Sequence, residues 1–193
     1  MAGALALGAS LAACGTPAKD WVQVYGTLEH PNPSSWLVRP AGRARIARQT
    51  FAALTISTRS YRDVRLRVAV RTLRRLRSPA PNPWEVGWVL WDFTDKVHFY
   101  YVALKPNGWE IGKEDPAYPG AQRFLATGAD PRFAPGRGYT VAVTQRGARL
   151  DVSADGKLLA SIDDTQRPYL AGRIGLYSED AEALFHVLSL SGS

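Results

Sequence analysis

The second half of this chain repeats one pattern that few folds accommodate: short runs of alternating apolar and polar residues, each closed by a tight turn of Gly, Asn, Asp or Pro. Trp84 to Phe93 reads as a strand, Thr94-Asp95-Lys96 as a turn and Val97 to Lys105 as the returning strand. Pro106-Asn107-Gly108 then turns into Trp109 to Lys113. Asn-Gly is the strongest short hairpin signal, because both central residues of the favoured turn need positive φ. Residues 116 to 138 are richer in Pro and Gly and read as a long loop region with a short strand near Arg123 to Ala126. A meander follows: Tyr139 to Gln145, a turn at Arg146-Gly147, Ala148 to Ser153, a turn at Asp155-Gly156, and Lys157 to Asp163. Ile174 to Tyr177 and Leu184 to Leu190 supply two more strands. The 17 glycines and 13 prolines interrupt most helical candidates, and no sustained stripe of period 3.6 survives between them. The expected fold is an all-β antiparallel β-sandwich, one domain over residues 21–193.

At 193 residues the chain has room for one sizeable core and not two. Its single cysteine, Cys14, excludes a disulfide framework and a cysteine-built zinc site. Residues 2–13 carry no charge and fall well short of the ~20 apolar residues that span a bilayer, so residues 1–13 read as an export signal. The run Leu11-Ala12-Ala13-Cys14 resembles the lipobox of bacterial lipoproteins. That resemblance implies that Cys14 is lipidated and becomes the first residue of the mature chain. A polar tether, residues 14–20, would then hold the domain to a membrane outside the cytoplasm, as a cell-envelope lipoprotein.

Charge is distributed unevenly. Between Arg39 and Arg77 lie 12 arginines against one acid, Asp63, which is +11 in a chain whose total is +7; the remainder is −4. Val64 to Arg71 alternates apolar residues with mainly basic ones, the period of a strand with one buried face and arginines on the other. A basic surface attracts nucleic acid, anionic lipid or acidic polysaccharide. Outside the cytoplasm nucleic acid drops from that set.

Three later segments carry a second resemblance. Tyr139 to Gly147, Leu150 to Gly156 and Gly172 to Tyr177, ending in Phe185-His186-Val187, look like the closing strands of concanavalin A-like lectin and glucanase jelly rolls. With Trp84 to Lys113 the likeness covers most of residues 60 to 190. Among those families the chain is most similar to the 3-keto-disaccharide hydrolase-like domain. The resemblance implies two curved sheets and a carbohydrate-binding face. It leaves activity open, since one scaffold hosts lectins, hydrolases and lyases.

Hairpin register assigns the faces of the central strands. A two-residue loop at Asn107-Gly108 and a three-residue loop at Thr94-Asp95-Lys96 place Val86, Trp88, Leu90, Val102, Leu104 and Ile111 on the core face. The opposite face then carries Glu85, Val89, Trp91, Phe99, Tyr101, Lys105, Glu110 and Glu114. Residues 84 to 109 hold eight of the chain's 20 Trp, Tyr and Phe residues. Trp84, Trp88 and Tyr100 are expected in the core, and Trp91, Phe99 and Tyr101 are the candidate ligand contacts. Outward rings beside carboxylates suit a saccharide, because sugar C–H faces pack on aromatic planes while charged groups meet the hydroxyls.

The same register sets Glu85, Lys105 and Glu110 in one row across three strands, with the outer carboxylates roughly 9 to 10 Å apart at the backbone. That spacing is compatible with an inverting acid and base pair. It equally describes a cross-strand ion-pair ladder. The Glu-x-Asp-x-x-Glu strand motif of laminarinase-like glucanases is missing, as are Gly-x-Ser-x-Gly, His-Glu-x-x-His and a phosphate loop. His98 is expected to pair with Asp92. No cofactor is required by this reading. Related jelly rolls often hold structural calcium, and Asp163, Asp164, Glu179 and Asp180 offer oxygen ligands in late loops without matching a known set. The expected function is therefore carbohydrate binding through Trp91, Phe99, Tyr101, Glu85, Lys105 and Glu110. The alternative is a glycoside hydrolase acting on (3-keto) disaccharides, with Glu85 and Glu110 as acid and base and Lys105 polarising a keto oxygen.

Overall fold

The computed structural model describes residues 20–193. The segments expected to be the export signal and most of the tether, Cys14 included, lie outside the described residues. Strands form where the alternation is clearest: β1 (Trp21–Tyr25), β2 (Thr27–Asn32), β3 (Ser35–Arg39), β4 (Ala52–Arg62), β5 (Arg65–Arg75), β6 (Gly87–Asp95) and β7 (His98–Lys105). They continue as β8 (Gly108–Glu114), β9 (Gln122–Gly128), β10 (Tyr139–Arg146), β11 (Arg149–Ala154), β12 (Lys157–Asp163), β13 (Ala171–Glu179) and β14 (Ala181–Ser191). A first sheet has the order β1-β4-β13-β6-β7-β8-β9 and a second the order β12-β11-β10-β5-β14-β3-β2. The two antiparallel sheets make the sandwich that the turn pattern anticipates.

Between the layers lie Trp36, Leu66, Trp91, Tyr100, Ile111, Leu150, Ile174 and Phe185, all fully buried. The strand β5 shows how sequence drives this arrangement: Leu66, Val68 and Val70 face the core while Arg65, Arg67 and Arg71 face water. The outer side of the first sheet carries a second apolar cluster of Leu54, Ile56, Trp88, Leu90, Phe93, Tyr101 and Ala103. The named members of this cluster are themselves buried, with Val24, Tyr25, Phe99 and Tyr177 packed against them.

The β6–β7 hairpin corrects the expected register. Its tight turn is Lys96-Val97, with Asp95 opposite His98, and Trp91 lies opposite Tyr100 and not Phe99. Asp92, at φ +50°, bulges out of β6, so three residues of β6 stand against one of β7 between the Trp91 and Asp95 pairings. Gly172 on β13 makes room for the bulge: a Cβ there would lie 2.2 Å from the Asp92 carbonyl carbon. Because side chains alternate, this one-residue offset turns over the part of β6 that precedes the bulge, while Phe93 beyond it keeps to the outer cluster. Trp91 and Val89 enter the core, while Trp88 and Leu90 join the outer cluster. His98 accordingly pairs with Asp95, its Nδ1 2.9 Å from the carboxylate, and Asp92 instead accepts from Gln145 Nε2 at 2.8 Å.

The β7–β8 hairpin also turns one residue earlier than expected, at Pro106-Asn107, with Lys105 opposite Gly108. Proline's fixed φ suits the first central position of such a turn. Here the pairing moves by two residues, from Lys105 opposite Glu110 to Ala103 opposite Glu110, so parity is kept. Tyr101 stays in the outer cluster and Val102, Leu104 and Ile111 stay in the core.

Candidate functional site

The outer face of the first sheet holds a pocket of about 330 Å³ lined by Trp84, Trp88, Glu110, Glu114, Gln122, Phe124 and Glu179. Its floor is aromatic. Trp88 stacks on Tyr101 with ring centroids 4.7 Å apart and meets Tyr177 edge-on at 5.3 Å. Tyr101 lies over Gly112, where a Cβ would come within 2.5 Å of its hydroxyl oxygen. The missing side chain of Gly112 thus seats a ring between Glu110 and Glu114 on the same strand. Two exposed rings, Trp84 (42%) and Phe124 (56%), stand at the margin.

Polar groups are clustered among these rings. Glu110 pairs with Lys105, and Gln122 Nε2 donates to the Tyr101 hydroxyl at 2.7 Å. The Tyr177 hydroxyl donates to Glu179 at 2.9 Å. Burial, reinforced by the charge of Glu179, pushes the Glu114 carboxyl from its ordinary 4.5 up to about 7. Burial also raises Glu179, with the Tyr177 hydrogen bond opposing the shift. Near neutrality the pocket therefore offers a carboxyl that both donates and accepts, beside carboxylate, amide and indole groups. That mixture matches the alternating donors and acceptors of vicinal hydroxyls.

Trp84 sits in the Pro81-Asn82-Pro83 loop before β6, and its presentation depends on buried charge. Glu85, fully buried, accepts from the Asn82 backbone N–H at 3.0 Å and from its side-chain amide at 2.8 Å, and pairs with Arg77. Arg77 is also held by Asp180 at 3.1 Å and donates to the carbonyls of Ile46 and Gln49, 2.9 Å each. The Trp84 carbonyl accepts the Trp88 indole N–H at 2.8 Å. Glu85 is therefore a positioning residue for the loop that carries Trp84, closed off from any ligand.

The sequence-predicted residues thus divide. Glu110 lines the pocket and Lys105 is its ion-pair partner; Tyr101 forms the floor but is fully covered. Phe99 lies on the same face, part-exposed and stacked on Phe93 at 5.8 Å, outside the pocket lining. Trp91 is a correction: it is buried between the layers against Tyr100. Glu85 is another, because it precedes β6 and turns inward to Arg77, so no row of Glu85, Lys105 and Glu110 forms. Trp84 and Trp88, expected in the core, line the site instead. The Pro81-Asn82-Pro83 run just before Trp84 is the sequence signal that the strand starts later, since proline is confined to strand starts, edges and bulges. Gln122, Phe124 and Glu179 carry no local signal, since β9 and β13 reach the pocket only through sheet order.

The oxygen ligands Asp163, Asp164, Glu179 and Asp180 do not converge. Asp164 is buried against Lys113 at 2.7 Å and Arg123 at 3.2 Å, and it accepts the Tyr100 hydroxyl at 2.7 Å. Asp180 belongs to Arg77, and Asp163 pairs with Arg149 at 3.2 Å across the surface. Among the described residues no group of three or more His, Cys, Asp or Glu is gathered to hold a metal.

No described protein family matches the chain, and no curated protein does. Solved structures do. The chain is similar to the carbohydrate-binding module CBM66 from Bacillus subtilis, at 17% identity and a TM-score of 0.69, over 90% of this chain and 96% of that one. It is similar to the exoplasmic/lumenal domain of VIP36 in a Ca2+/Man2-bound form, at 15% identity and a TM-score of 0.59, over 89% of this chain and 79% of that one. A native glycosidic hydrolase aligns at 8% identity and a TM-score of 0.59, over 90% of this chain and 89% of that one. At these identities what is shared is the jelly-roll fold.

Proposed function

We propose that this protein is an exported, lipid-anchored carbohydrate-binding domain that holds a saccharide in the pocket on the outer face of its first sheet. The observation that carries the reading is the combination of exposed Trp84 and Phe124 at the margin with Glu110, Glu114, Gln122 and Glu179 inside. Rings supply stacking area for a sugar and the polar groups orient it. The likeness to a carbohydrate-binding module and to the VIP36 exoplasmic/lumenal domain in its Ca2+/Man2-bound form supports the class of ligand without naming it. Affinity electrophoresis of the protein through a panel of embedded polysaccharides tests it: retardation by at least one, lost in Trp84→Ala, is expected, and uniform free migration refutes it. For the anchor, the expected outcome is labelling by radioactive palmitate that disappears in Cys14→Ala; unchanged labelling refutes lipidation at that residue.

One observation favours a second reading, a glycoside hydrolase of the 3-keto-disaccharide type. Glu114, pushed up to about 7 beside Glu179, is the environment of a general acid next to a second carboxyl. Under this reading Glu114→Gln abolishes release of reducing sugar from 3-keto-disaccharides while Glu85→Gln does not. Equal rates in both variants and the unmodified protein would remove it. Binding ranks first because it needs only the platform.

A further inference from the structure

We propose that the outer face of the second sheet docks on an anionic phospholipid membrane. Some arginines of this sheet pair with an acid on the neighbouring strand: Arg39 with Glu29, Arg74 with Glu182 at 2.7 Å and Arg149 with Asp163 at 3.2 Å. Three on one face of β5 form a row without such partners. Arg65, Arg67 and Arg71 are exposed and have no ion pair among the described residues. The residues opposite them are Thr144 and Ser191 for Arg65, Ala142 and Ser189 for Arg67, and Leu184 for Arg71. These flanks are uncharged and mostly small, so no acid stands directly opposite the row at these positions. Six residue steps from Arg65 to Arg71 spread the charge over about 20 Å.

The occupant follows from shape as well as charge. No exposed Trp, Tyr or Phe lies on any strand of this sheet among the described residues, so the face lacks what a sugar would stack upon. An exposed row of guanidinium groups along one strand matches a surface of phosphate headgroups, each of which an arginine can grip bidentately. The two outer faces of a sandwich look in opposite directions. Docking through β5 therefore turns the pocket bearing Trp84 toward solvent, where a soluble or wall-borne glycan is reached. The proposal does not depend on the sugar reading, and a basic face is the usual second signal beside a lipid anchor.

The test uses the full chain carrying Cys14→Ser, so that no attached lipid contributes. It is sedimented with phosphatidylcholine vesicles, with or without phosphatidylglycerol, in low salt and in molar salt. Binding only to the anionic vesicles, released by salt, is expected. Each arginine removed should weaken it roughly fivefold, so Arg65→Gln/Arg67→Gln/Arg71→Gln together should weaken it about a hundredfold. The matched triple Arg43→Gln/Arg45→Gln/Arg48→Gln removes equal charge from the exposed loop between β3 and β4, and should retain most of the binding. No preference for anionic vesicles, or equal losses in the two triples, overturns the proposal. So does retention on dextran sulfate without vesicle binding, which would mark the face as a polymer site.

Discussion

Replacing Trp84 with alanine separates the site described here from the one expected of Trp91. A tryptophan buries up to about 250 Å², and Trp84 leaves 42% of its surface exposed, so about 100 Å² is available to a ligand. Covering most of that area at about 25 cal/mol per Å² contributes about 2 kcal/mol, roughly thirtyfold in Kd. The substitution leaves the backbone carbonyl that Trp88 uses and opens no core cavity, so the melting temperature should barely move. Trp91→Ala is the opposite case: a fully buried ring is lost, at a cost of about 3–5 kcal/mol, while the remaining folded molecules keep their affinity. Isothermal titration against whichever polysaccharide retards the unmodified protein, paired with thermal melts, reads both quantities. Trp84→Ala binding within about twofold of the unmodified protein while folded would refute the assignment of the pocket.

Glu114 sets a pH dependence whose sign is fixed by its upward shift. The folded state favours the protonated carboxyl, so its stabilising contribution is full below pH 4.5 and is lost as pH rises through about 7. Glu114→Gln should therefore be more stable above pH 7 by about 1 kcal/mol after allowance for the group's partial exposure, a rise of roughly 2–4 °C in Tm, and unchanged near pH 4. Melts at the two pH values decide it; a variant less stable at both contradicts the burial argument. Glu85→Ala leaves Arg77 with one fewer buried counter-charge and should destabilise the protein by about 3–5 kcal/mol in urea unfolding, with Glu85→Gln milder because it keeps a hydrogen-bonding carbonyl. Gly112→Ala would drive a methyl into Tyr101, costing about 1–3 kcal/mol and weakening saccharide binding along with Tm; wild-type values of both would show that the ring is not seated there.

Alternation, turn residues and missing helical stripes make the sandwich readable from the chain alone, because a period of two and a tight turn are local properties. The strand β5 is the clearest case: its valines and arginines sort to opposite faces whatever lies beside them. Glu110 and Tyr101 were placed on the outward face because an error of two residues in the β7–β8 turn preserves parity.

Parity in β6 was decided elsewhere. The Asp92 bulge depends on Gly172, some eighty residues away on β13, yielding space that any side chain would fill. Without that neighbour in view, Trp91 and Trp88 exchange faces, and the ring that lines the pocket is mistaken for core. Glu85 likewise reads as a strand carboxylate until Arg77 and Asp180 meet it. Composition and periodicity determined that this chain builds two sheets with rings and acids near their middle. Which of those groups reach solvent together depended on register and sheet order, because packing contacts between distant strands, and not the propensities of any one strand, choose the face.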